Sequence, residues 1–131
     1  MRNYVIRLEE YGITPARARE LWWACRQYDE CRRVAAAIRR GEVDRPAKRR
    51  NGIWHQPDPT GEQAVRAADN WYTRRVEAIE SAAKAADPVL WRYILRNVCR
   101  GVPFQRLGVP CSQPYFSRLR RTFYVELDGR I

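Results

Sequence analysis

Residues 88–125 read PVLWRYILRNVCRGVPFQRLGVPCSQPYFSRLRRTFYV, 38 residues with seven arginines and no carboxylate. Soluble surfaces ordinarily interleave both signs, so a stretch this one-sided points to a face that meets a polyanion. Its punctuation decides the fold. Leu90, Trp91, Ile94, Leu95 and Val98 recur at helical spacing from about Pro88 to Arg100, and Gly101 ends that helix. Pro103 starts a short helix through Leu107, Gly108-Val109-Pro110 breaks again, and Ser112 suits the N-cap of a last helix. On that last helix Phe116, Leu119, Phe123 and Leu127 share one face. The arginines of the block, which ends in Arg118, Arg120 and Arg121, are expected to face away from that stripe.

A helix–turn–helix needs an apolar anchor on each helix, a turn that tolerates unusual backbone angles, and a second helix with a polar outer face. Phe104 and Leu107, Gly108, and Phe116 with Leu119 meet those needs in order. The expected base-reading residues lie at and after the last helix start: Ser112, Gln113, Tyr115, Ser117, Arg118 and Arg121. Arginine pairs bidentately with guanine and glutamine with adenine, while serine and tyrosine reach bases or phosphates. Arg96, Arg100 and Arg106 are expected to the side, on phosphates, where affinity depends on salt.

Upstream, residues 1–13 form a short amphipathic lead ending at Gly12. Thr14-Pro15 is a helix start, and Leu21, Cys25, Tyr28, Ala35 and Ile38 then predict one amphipathic helix of about 25 residues, stopped by Gly41. Residues 41–58, GEVDRPAKRRNGIWHQPD, are a loop with the basic cluster Lys48-Arg49-Arg50, which offers possible backbone contacts. Asp58-Pro59-Thr60 opens a second long helix striped by Val65, Ala68, Tyr72, Val76, Ile79, Ala83 and Ala86, with Glu62, Asp69, Glu77 and Glu80 mostly on its solvent side. Trp22, Trp23 and Trp71 are expected as packing anchors. The expected fold is therefore all-α: a long two-helix antiparallel hairpin over residues 1–86, then a C-terminal three-helix helix–turn–helix unit over 87–131. The hairpin stripes can pair within one chain or between two, which makes a homodimer one option.

Composition sets the outer bounds. The chain has 131 residues, 45% apolar, with five Trp and seven Tyr, which suits a folded core rather than disorder. The formal charge of +10 favours nucleic acid as partner, although 23 of the 25 basic residues are arginine and part of that bias can be genomic. Cys25, Cys31, Cys99 and Cys111 form no CxxC pair, and the one histidine, His55, is remote from them in sequence, so no metal site or cofactor is expected. His55 reads as a loop hydrogen-bonder, and no phosphate-binding glycine loop or nucleophile elbow points to an enzyme. MRNYVIRLEEYG lacks the apolar run of a signal peptide, and no span or membrane partner is expected; the chain is expected in the cytoplasm with reduced thiols.

The segments QYDECRRVAAAIRRGE, NGIWHQPDPTGEQAV, RRVEAIESAAKAAD and YILRNVCRGVPFQRLGVPCSQPYFSRLRRTFYVEL follow one another across roughly residues 20 to 128. In order, spacing and character they resemble the phage transcriptional activators of the RinA and ArpU type. That resemblance implies a small helical activator of late or packaging genes, with a C-terminal part similar to region 4 of sigma factors that reads promoter DNA. The chain departs from that pattern at Pro110 and Pro114, so the pattern locates the last helix start only to within a residue or two. The resemblance implies double-stranded DNA as partner, with RNA polymerase as a possible second one. Two other functions compete: a small terminase-like packaging protein, and a helical interaction module that binds RNA polymerase.

Overall fold

The computed structural model describes residues 8–41, 49–50, 53–54 and 59–131, with side chains described for 8–41 and 71–131. The predicted Thr14 cap is formed: its hydroxyl accepts from the Arg17 amide at 3.1 Å, and Pro15 opens helix α1, Pro15–Arg26. Before it, a 3-10 turn at Glu9–Tyr11 closes on Gly12 at φ 81°. After it, the expected single helix is in fact two. Gln27 (φ −90°, ψ 0°) separates α1 from α2, Tyr28–Arg39, and its N–H is shared between the Trp23 and Ala24 carbonyls, each at 3.2 Å.

No glycine or proline causes that break. α1 packs on the C-terminal helices, whereas α2 lies along α3, Pro59–Ala86. The apolar stripe nonetheless passes through the break in three–four steps, with Leu21, Cys25, Tyr28, Cys31 and Ala35 all buried. Periodicity alone therefore does not reveal it. Among the described residues the structure is helical apart from a two-residue antiparallel pair, in which Arg49–Arg50 faces Ile53–Trp54.

The remaining helices are α4, Trp91–Arg100; α5, Phe104–Leu107; and α6, Gln113–Asp128. One hydrophobic cluster runs from Leu8 and Leu21 through Ile79, Ala82 and Ala83 to Ile94, Phe116, Phe123 and Leu127. Ala82 and Ala83 are fully buried on the helix that packs against α6. Their small side chains leave room for Phe123 and Tyr124, which are buried in α6.

Polar ties close the ends. The Arg17 guanidinium donates to Asp128 Oδ1 at 2.6 Å and to the Ile131 carbonyl at 2.6 Å, placing a cation at the C-terminal end of α6 where free carbonyls favour one. Tyr28 donates to Glu80 Oε2 at 2.5 Å, joining α2 to α3. Glu80 is therefore half-buried rather than on the solvent side. The tryptophans also depart from expectation: Trp23 is 59% and Trp71 47% exposed, so neither anchors the core. Each instead has an aromatic neighbour in edge-on contact, Trp22 and Tyr72 respectively.

Candidate nucleic-acid interface

The C-terminal helices are delimited by local chemistry at each break. Asp87 Oδ1 accepts from the amides of Val89 and Leu90, both at 2.8 Å, and so organises the turn that leads into α4. Gly101 (φ 72°) terminates α4. The Arg26 guanidinium lies against it, 2.8 Å from where a Cβ would stand. Buried Asn97 donates to the Val102 carbonyl at 2.9 Å and holds the chain as it turns toward α5. Sequence periodicity does not single out Asn97; the only clue is a polar residue inside an apolar stripe.

Gly108 (φ 67°) ends α5, and the Ser112 hydroxyl accepts from the Tyr115 amide at 3.3 Å to start α6. Pro114 then sits in the first turn, where a missing N–H leaves no helical bond unmade, so α6 starts at Gln113 despite both prolines. Between the two helices, the Phe104 and Phe116 rings meet at 5.6 Å and Leu107 is buried. The apolar anchors and both turns thus stand where the punctuation placed them.

The outer surface of α6 carries Gln113, Tyr115 and Arg118 exposed, with Ser117 and Arg121 half-buried and the Ser112 cap exposed at its start. The Arg118 guanidinium lies 5.7 Å from the Tyr115 ring, and the Tyr115 hydroxyl is 3.5 Å from Asp87, the outer limit of a hydrogen bond. Arg106 on α5 is exposed. Arg96 and Arg100 are exposed on α4 and line a trough that faces α2, where Arg100 donates to both oxygens of Asp29 at 3.0 and 3.2 Å.

Arg120 departs from the expectation that the arginines face outward: it is 9% exposed. Four residues from both Phe116 and Tyr124, it falls in the buried register of the helix. Burial lowers its pKa, as it raises that of the neighbouring Tyr124 phenol. Lys48 and His55 lie outside the described residues; Arg49 and Arg50 are described only as a strand.

The thiols offer little reactivity. Cys25, Cys31 and Cys99 are buried. Burial pushes Cys31 and Cys111 up, and a hydrogen bond with Cys25 together with burial pushes Cys99 up. Among the described residues no three His, Cys, Asp or Glu side chains converge on a possible metal position, and no helix is long and apolar enough to cross a membrane. No family model, curated protein or solved structure matches this chain.

Proposed function

We propose that the chain is a sequence-specific DNA-binding transcription regulator, of the phage-activator type that its sequence resembles. α4, α5 and α6 act as the helix–turn–helix unit, and α2 with α3 forms the helical platform behind it. The observation that carries this reading is the outer face of α6. Gln113, Tyr115 and Arg118 stand exposed on its first two turns, in a block without a carboxylate from Pro88 to Val125.

An α-helix fits the major groove, and the N-terminal turns of a recognition helix approach base edges first. Gln113 and Arg118 have the bidentate chemistry for adenine and guanine, while Ser112, Tyr115, Ser117 and Arg121 supply contacts to bases or the adjacent backbone. Arg106, on the helix before it, supplies a phosphate contact in this reading, with Arg96 and Arg100 of α4 further to the side. Arg120 has no part in reading, because its side chain is in the core.

Selection of duplexes from a random pool, followed by fluorescence anisotropy, tests this. Arg118→Ala should lower affinity for the selected site by roughly tenfold to a hundredfold and relax preference at one position, with helical content unchanged. Arg106→Ala should weaken all duplexes alike and reduce the salt slope by about one. Recovery of no preferred sequence, or full specificity in Arg118→Ala, would refute the assignment.

A further inference from the structure

We propose that the trough between α2 and α4 seats an acidic, amphipathic segment of a partner protein. The trough encloses about 340 Å³. It adjoins a depression of about 880 Å³ between α2 and α3, and the two share Arg32 and Arg100. This goes beyond DNA reading by α6 and does not depend on it.

Charge is the first ground. Arg92, Arg96 and Arg100 recur every fourth residue along the exposed side of α4, and Arg32 of α2 lines the same trough. Arg100 is neutralised by Asp29. Arg32, Arg92 and Arg96 have no carboxylate partner among the described residues, and the one carboxylate recorded in the lining, Glu80, accepts the Tyr28 hydroxyl instead. Two of the cations are held near aromatic rings: Arg32 lies 5.7 Å from the Tyr28 ring and Arg92 5.1 Å from that of Trp91. Guanidinium stacked in this way keeps its N–H donors available for a carboxylate.

Shape and polarity are the second ground. Tyr28, Trp91 and Leu95 give the trough apolar surface beside its arginines, and Ala35, Ala36 and Val76 do the same in the adjoining depression. Phosphates of a duplex could meet the exposed arginines but would leave the apolar surface of Tyr28, Trp91 and Leu95 without a complement. A peptide helix carrying Asp or Glu around one or two apolar anchors supplies both complements.

The test is selection from a random peptide library on the full-length protein, with the enriched peptides measured by fluorescence polarisation. Enriched sequences should be acidic with aromatic or aliphatic anchors. Their affinity should fall at least tenfold in Arg32→Gln/Arg92→Gln, which removes the guanidinium donors with the smallest change of net charge, while duplex binding through α6 stays within about threefold of the unsubstituted protein. Circular dichroism confirms that the double variant is folded. Should it fail to fold, Arg92→Ala, at an exposed position, should still weaken the peptides at least threefold. No enrichment, enrichment without acidic bias, or peptide affinity unchanged in the variants would overturn the proposal. Loss of duplex binding in step with peptide binding would also overturn it, by making the trough part of the DNA surface. Arg118→Ala keeps the two readings separate, because it should impair DNA binding and leave peptide binding intact.

Discussion

The break at Gln27 and the breaks between the C-terminal helices are made by different means. In the C-terminal unit every break carries its own chemistry: Gly101 and Gly108 sit at positive φ, and Ser112 caps α6 through its hydroxyl. At Gln27 the chain breaks with no such residue, and the apolar stripe runs through without a pause. One kind of break is written in local conformational preference. The other arises because α1 and α2 are packed on different partners.

That contrast can be tested by substitution. The largest expected effect is in the shared core: Phe123→Ala should cost about 3–5 kcal/mol in urea denaturation and loosen both halves together. Unfolding in two separate transitions would mean that the halves are independently stable. Next is Gly101→Ala, expected to cost about 1–2 kcal/mol, from left-handed strain together with displacement of the Arg26 guanidinium. Gly108→Ala meets open space and should cost only the strain, near 1 kcal/mol. A neutral result at both would show that these breaks do not depend on local φ. The smallest effect is expected at Gln27→Ala, within about 0.5 kcal/mol, because nothing about that side chain makes the break. A larger loss there would erase the contrast.

Alkaline titration compares the two packing zones. Burial, and the bond to Glu80, raise the Tyr28 phenol, and burial raises Tyr124. A phenol raised in the folded state binds its proton more tightly there than in the unfolded chain. The stability it contributes is therefore complete below the unfolded pKa of about 10 and is lost as pH rises beyond it. The buried Cys31 and Cys99 thiols, raised in the same sense, add to the fall from about pH 8.5, so urea midpoints should decline from there and more steeply above pH 10. Tyr28→Phe should remove part of the fall above pH 10, and an unchanged profile in this variant would mean that Tyr28 contributes none of it.

The candidate site was legible to a similar degree and for similar reasons. Gln113, Tyr115 and Arg118 were readable because a capped helix with a Phe/Leu stripe defines its own outer face. Arg120 belongs to the same register as Phe116 and Tyr124, so its burial was implicit in the spacing, yet its charge suggested the surface. The exposed Trp23 and Trp71 show the same error in reverse, since bulk and apolarity alone suggested the core. The trough was not legible at all. Arg32 and Arg92 come from different helices, and the Asp29–Arg100 tie beside them spans 71 residues of sequence.

By itself, then, the sequence determined the capped helix starts at Thr14 and Ser112 and the glycine breaks at Gly101 and Gly108, because each depends on preferences spanning only a few residues. It also determined which side of α6 faces outward. Tertiary structure alone decided the split at Gln27, the Arg17–Asp128 and Tyr28–Glu80 ties, and which arginines share a trough. Those depend on distances between residues 52 or 111 positions apart, which follow from how the helices pack and not from any local preference.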